Sequence, residues 1–292
     1  MMVTVGLPIA IGIVMAGLGL SLKWADFTRV LTVPRAVLLA LACQFLVIPL
    51  VGLALIAFFD PEPALAVGVM LLVATPGGPM SNLLSHLAGA DVALNVTITA
   101  LTSVISAVTF PLIANLSIQH LLEDGARVGL QFSKIVWVVA VVLVPIVVGM
   151  LVRRAREDFA RRMERPVKIF STALLAVTIA GAIVSEREHI GPAFRGVGHI
   201  VLLLVLLSIA IGYGVPRLGG VAHRQAVAAS LEIGLHNTPL AIAIALSPVL
   251  LNDPTMAFAP AAYALLSVPI ACLYTFLVAR TLPRTTEMSL LA

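Results

Sequence analysis

The chain has 292 residues, of which 60% are hydrophobic and only 11% charged, and its mean hydropathy is +1.10. So much apolar surface cannot be hidden inside one water-facing globule, which excludes an ordinary soluble domain and leaves a protein whose exterior is apolar as well. A sequence pI near 9.5 raises nucleic acid as a partner, but the basic residues fall in short loops between apolar runs, so nucleic acid is set aside and membrane lipid is the expected surroundings.

A helix needs about 20 apolar residues to cross a bilayer core. Nine such runs follow one another, so the predicted fold class is an all-α polytopic membrane protein with nine transmembrane helices. Span one, 3–22, is followed by no small-residue cleavage site and is expected to be retained. Span two, 34–58, carries Gln44 and Pro49. Span three, 64–88, is interrupted by Thr75-Pro76-Gly77-Gly78-Pro79, a run that cannot continue a helix, so a break is expected at 75–79. Span four, 91–117, places Asn95 and Thr99 four residues apart, on one helix face. Spans five, six and seven run over 134–152, 167–185 and 196–215. Span eight, 221–247, gathers Glu232, Gly234, His236, Asn237 and Pro239 at its centre, and a second break is expected at 233–239. Span nine is 255–280. Cys43 and Cys272 lie inside apolar runs and read as buried small hydrophobes; Trp24 and Tyr274 are expected near the membrane interface, and His86 and Asp91 as caps at a short turn.

Charge tests the count. The segments after spans one, five and seven, with the tail, hold fourteen of the eighteen basic residues. An excess of Lys and Arg marks the cytoplasmic side. The N-terminus is therefore expected outside and the C-terminus inside a cytoplasmic (inner) cell membrane. The charged stretch 153–168 reads as a solvated loop at that face.

The two interrupted spans hold matching places, each second to last in its half. Pro76-Gly77-Gly78 aligns with Gly234-Leu235-His236 at an offset of 158 residues, as does Pro111 with Pro269. The interrupted spans are five apart in chain order, an odd number, so the halves have inverted topology, a recurrent plan of secondary transporters. The second half has one span more than the first.

Glu232 is the sharpest single feature. A carboxylate at membrane depth needs a cation, a proton or a partner, and no Lys or Arg lies in the interior of a span, away from its ends, to pair with it. Two readings stand: a protonated glutamate bonded to backbone freed at the break, or a cation site. Gln44, Ser81, Asn82, Asn95 and Thr99 supply oxygens of the kind a hard cation such as sodium takes. No His-Glu-x-x-His zinc motif and no Gly-x-Ser-x-Gly elbow accompanies them, so the chain does not read as an enzyme.

Pro76-Gly77-Gly78-x-x-Ser81-Asn82, Gly89-x-Asp91-Val92-Ala93-Leu94, Glu232-x-Gly234-x-x-Asn237 and Gln44-Phe45 followed by Pro49 together resemble the bile acid:sodium symporter family over nearly the whole chain. The resemblance implies two crossing discontinuous helices in a core domain beside a smaller panel domain. Residues 1–33 and 134–195 would be panel, and 34–133 and 196–292 core. It implies one or two sodium ions. The first would be held by Ser81, Asn82, Asn95, Thr99 and Glu232. The second would be held by Gln44, Glu232 and His236 with the carbonyls of Ile233 and Leu235. Pro79, Met80, Asn237 and Thr238 would line the substrate site at the half-helix N-termini. The implied function is sodium-coupled symport of a small organic anion (bile acid-like, pantoate-like or another carboxylate) by alternating access. The alternative is a proton-coupled or sodium-independent carrier or exporter. A sensor that binds without transporting is a further possibility of another class. His236 stands where an amide is common in the family, so the second site is weakened, a proton replaces one ion, or the ring only hydrogen-bonds Glu232. Pro79-Met80 replace a small hydroxyl residue there, so substrate contacts are expected to differ.

Overall fold

The computed structural model describes residues 2–122, 132–163, 166–167, 169–170, 173, 187–247 and 250–282. Among them every regular element is a helix, and the single extended pairing is a bridge between Gly77 and His236. Span six, 167–185, falls almost wholly outside the described residues, as do Arg127 and Arg284.

Helix α1 (Met2–Ser21) is followed by a short helix α2 (Trp24–Thr28) and by α3 (Pro34–Phe59), which contains a π turn at Cys43–Val47. That turn forms just ahead of Pro49, which has no N–H to continue the ladder. α4 (Pro63–Val73) and α5 (Pro79–Ala88) are the two halves of the first interrupted span. α6 (Val92–Leu121), α7 (Phe132–Ala155) and α8 (Arg187–Leu218) are continuous. α9 (His223–Ile233) and α10 (Thr238–Leu246) are the second interrupted pair, and α11 (Phe258–Ala279) closes the described chain. Four stretches, Pro34–Phe59, Val92–Leu121, Phe194–Leu218 and Thr255–Ala279, are each long and apolar enough to cross a membrane. The half-helices are not: 11 residues at about 1.5 Å each reach only about half of a 30 Å core, so each pair must share one crossing.

The first break is shifted one residue toward the N-terminus of its Pro/Gly cluster, at 74–78, and the second is narrower than its cluster suggests, at 234–237. The helices stop at Val73 and Ile233 and restart at Pro79 and Thr238. Pro79 and Pro239 therefore sit in the first turn of the following half-helix. Proline there sacrifices an N–H that has no partner in any case, so these prolines start helices rather than break them. Breaking falls to Pro76 and the glycines.

Polarity is inverted relative to a water-soluble protein. Leu46, Leu50, Leu265, Leu273 and Phe276 point outward, while Gln44, Ser81, Asn95, Thr99 and Glu232 are buried. Cys43 is buried as expected, but Cys272 lies on the outward face of α11 beside Leu273. Tyr274 packs against the interior of α11's neighbours rather than standing free, whereas Trp24 is exposed. Asp91 caps α6 by accepting from the Leu94 N–H at 3.0 Å, and Gly89, at φ +71°, closes α5, with His86 in its last turn.

α1 runs along α7 in the most extensive helix–helix packing among the described residues. Gly19 and Gly149 make this possible: a Cβ at Gly19 would strike the Ile146 backbone, and one at Gly149 the backbone of Ala16 and Leu20. α3, α4, α6, α8, α9 and α11 pack around a second core, with α5 against α6, α9 and α11. One end of the bundle collects the basic segments. Lys23 pairs with Glu157 at 3.0 Å, Arg29 with Asp91 at 3.4 Å, and Arg153 donates to the Leu20 carbonyl. Arg224 donates to the Gly89 carbonyl at 2.9 Å, and His223 meets Thr281 at 3.0 Å. The loops that the positive-inside pattern assigned to one side thus touch one another at one end.

Candidate functional site

The site is built where the two interruptions cross. Their backbones run antiparallel and exchange two hydrogen bonds: Gly78 N–H donates to the Leu235 carbonyl at 2.7 Å, and Asn237 N–H to the Pro76 carbonyl at 2.9 Å. Each opened segment thereby satisfies the other in the buried interior of the fold. The exchange is reciprocal and relates residues 159 apart: 78 to 237, 76 to 235, and the start of α5 at 79 to that of α10 at 238. The pairing is thus one residue longer than the 158-residue alignment of the two motifs.

Gly77 faces His236 in this bridge, and a Cβ on Gly77 would collide with the carboxyl group of Glu232. Glu232 sits in the last turn of α9, fully buried. Its Oε2 meets Ser81 Oγ at 2.5 Å and Thr99 Oγ1 at 2.7 Å; Thr102 Oγ1 stands 3.5 Å from Oε1, too far for a strong bond. Among the described residues no basic side chain forms a salt bridge with it.

Counting protons shows what this cluster lacks. Ser81 Oγ also meets the Gly78 carbonyl at 2.8 Å, Thr99 Oγ1 the Asn95 carbonyl at 3.0 Å, and Thr102 Oγ1 the Thr99 carbonyl at 3.2 Å. Three hydroxyl protons thus face six acceptor contacts. Oxygen lone pairs crowd together unless a cation or an added proton lies among them. Three more buried oxygens have no donor: Asn82 Oδ1, Asn95 Oδ1 and Gln44 Oε1. Orphaned acceptors cost about 1–3 kcal/mol each, and these three, on α3, α5 and α6, are free to accept from a donor or a cation. The donor set is hard (hydroxyl, amide, carboxylate and main-chain oxygen), which suits sodium. Among the described residues there is no group of three His, Cys, Asp or Glu to suggest a transition metal.

The sequence-derived residues divide as follows. Ser81, Thr99 and Glu232 are in direct contact. Asn95 is tied to α5 through Ser85 Oγ, which accepts from its Nδ2 at 2.5 Å. Gln44, in the π turn, donates from Nε2 to the Thr75 carbonyl at 2.9 Å. Ile233 ends α9, where carbonyls lack intrahelical partners, and Leu235 lies within the break, its carbonyl accepting Gly78 N–H. His236 is buried against Tyr263, with ring centroids 5.4 Å apart, and neither ring nitrogen meets a partner at hydrogen-bonding geometry, although the Thr75 carbonyl lies on its flank. The hydrogen bond from His236 to Glu232 that the sequence allowed is not formed. Tyr263 instead donates to the Gly234 carbonyl at 3.0 Å.

On the helix-terminus side, Asn237 caps α10 by accepting from Leu240 N–H at 3.2 Å, so its oxygen is committed to its own helix. α5 starts at Gly78 with no side-chain cap. Thr238 is buried and Met80 is exposed, while the Pro79 side chain lies outside what is described. Thr102 and Ser85 were not singled out from sequence. Their signal was spacing: Thr102 lies three residues after Thr99 on α6, and Ser85 four after Ser81 on α5.

Residues 8–192 match the sequence profile of the Sodium Bile acid symporter family. The uncharacterized sodium-dependent transporter YocS of Bacillus subtilis (strain 168) is 25% identical over 237 residues, 81% of this chain and 72% of its own. The probable sodium/metabolite cotransporter BASS2, chloroplastic, of Oryza sativa subsp. japonica is 28% identical over 240 residues, 81% of this chain but only 55% of its own. The ileal sodium/bile acid cotransporter of Oryctolagus cuniculus is 23% identical over 271 residues, 92% of this chain and 77% of its own.

Proposed function

We propose that this chain, which belongs to the sodium bile acid symporter family, is a sodium-coupled secondary transporter of a small organic anion working by alternating access. Its family is one of multi-pass membrane transporters, not enzymes. The observation that carries the reading is the proton-poor cage around Glu232, with Ser81 and Thr99 on one carboxylate oxygen and three orphaned amide oxygens on the helices around it.

Sodium is cargo in this account. Ser81, Asn82, Asn95, Thr99 and Glu232 would hold one ion; Gln44, Glu232, His236 and the carbonyls of Ile233 and Leu235 would hold a second. A buried, unpaired carboxylate costs several kcal/mol, and a bound cation offsets that cost. Loading therefore neutralises the crossing and fixes the two opened segments against each other. The uncapped start of α5 and the start of α10, at Pro79, Met80, Asn237 and Thr238, turn positive helix ends toward the substrate's carboxylate or sulfonate. In this reading nine helices span the inner cell membrane, N-terminus outside and C-terminus inside. The glycine-knit pair α1–α7 serves as panel, and the helices around the crossing rock as core.

Uptake of candidate organic anions into proteoliposomes under an imposed sodium gradient tests this. Sodium-driven accumulation lost in Glu232→Ala supports it; accumulation unchanged by that substitution refutes it. A second reading, proton coupling or sodium independence, is favoured by the fully buried Glu232, which forms no salt bridge among the described residues and which an added proton would also satisfy. Uptake driven by a pH gradient with sodium absent would decide for it.

A further inference from the structure

Two side chains near the crossing bear on one ligand atom, and only one of them was expected to matter. Asn95 and Ser85 are both fully buried, and Asn95 Nδ2 donates to Ser85 Oγ at 2.5 Å. The other end of the same amide, Oδ1, has no donor. An asparagine amide is nearly symmetric in shape but opposite in polarity at its two ends. Which end faces a cation is decided by what holds the other. Asn95 stands one turn before Thr99 on α6, and its own carbonyl is tied to the Thr99 hydroxyl, so the side chain enters the cluster from that turn. Ser85 stands one turn after Ser81 on α5, in the last turn before the Gly89 bend that returns the chain to α6. The Ser85 carbonyl in turn accepts Ala90 N–H at 2.9 Å, so the backbone that carries its hydroxyl is pinned by the bend.

We infer that Ser85 is a positioning residue for sodium: by accepting the Asn95 NH2 group it turns Asn95 Oδ1, and not the amide hydrogens, toward the ion. The inference rests on the sodium-coupled reading. Without Ser85 the amide NH2 group loses the acceptor that holds it, and the flipped amide presents hydrogens to a cation. Ser85 touches neither ion nor anion itself, so its effect passes entirely through Asn95.

The test is sodium-dependent thermal stabilisation of the purified transporter in detergent, titrated with sodium chloride against choline chloride, for four proteins: wild type, Ser85→Ala, Asn95→Ala and the double variant. Losing one orienting hydrogen bond raises the sodium concentration for half-maximal stabilisation by about three- to tenfold in Ser85→Ala. In the Asn95→Ala background, removing Ser85 adds nothing further. Ser85→Cys, which keeps the volume but offers a poor acceptor, matches Ser85→Ala, and carries the test alone if the alanine variant does not fold. Equal sodium dependence of Ser85→Ala and wild type, or an additional shift in the double variant over Asn95→Ala, overturns the positioning role. Those results leave the sodium reading standing, because that reading fails separately, if wild type itself shows no stabilisation by sodium over choline.

Discussion

Two places in this molecule bring backbones into contact closer than side chains allow, and they do it in opposite ways. Where α1 meets α7, Gly19 and Gly149 remove the side chains and both helices continue unbroken. Where the third and eighth spans meet, Gly77 also removes a side chain, yet both helices open and pair through Gly78 and Asn237 instead. Close approach therefore does not require a break; glycine on intact helices suffices. Breaking a helix at membrane depth releases carbonyls and N–H groups that must be re-satisfied, and nothing about packing calls for that cost. The difference lies in what surrounds each contact. The α1–α7 seam is lined by apolar residues such as Met15, Val142 and Ile146, whereas the crossing is ringed by Gln44, Ser81, Asn95, Thr99 and Glu232. One contact holds a scaffold, and the other presents oxygen.

Exchanging these glycines breaks the comparison most sharply. Gly77→Ala puts a methyl group where the Glu232 carboxyl group lies, so sodium-driven uptake is expected to vanish; retention of half the wild-type rate would show that the carboxylate does not act from this position. Gly149→Ala overpacks the seam and is expected to cost about 1–3 kcal/mol of stability, read as a lower melting temperature. The sodium concentration for half-maximal stabilisation should stay at its wild-type value; a changed one would couple the seam to the ion. Gln44→Ala and Asn82→Ala each delete an orphaned oxygen, and each is expected to weaken sodium about tenfold in the same titration. The smallest effect belongs to the exposed end. Hydrogen bonds from Arg161 and Lys23 hold the Glu157 carboxyl group well below the usual range, down to about 2. A carboxylate depressed in the folded state adds its stability above the ordinary carboxylate pKa and loses it as pH falls toward the lowered value. Because the pairs are exposed and screened, that contribution is small, and Glu157→Gln should leave melting unchanged within error between neutral pH and mild acid.

Much of this was readable in the letters, for identifiable reasons. Span ends at 34–58 and 255–280 lie within a residue of the helices because long apolar runs leave little freedom. The burial of Glu232 among hydroxyl groups was legible because a lone carboxylate in an apolar span has few alternatives. The roles of Pro79 and Pro239 were not: a proline that starts a helix and one that stops it look alike until the cap is seen. Nor was the 159-residue relation, because it rests on backbone hydrogen bonds at Gly78 and Asn237 rather than on side-chain identity. Thr102 and Ser85 escaped notice because serine and threonine within a span ordinarily bond their own helix, as Ser103 and Ser106 do here. Only the placement of α5 against α6 shows which hydroxyls face inward.

Equilibrium binding of radioactive sodium to the purified transporter, wild type beside Glu232→Ala, reaches the central point without any substrate in hand. Saturable binding in the wild type that disappears with the carboxylate is the predicted result. The same sodium bound in both proteins, or in neither, would contradict a cation held at the crossing.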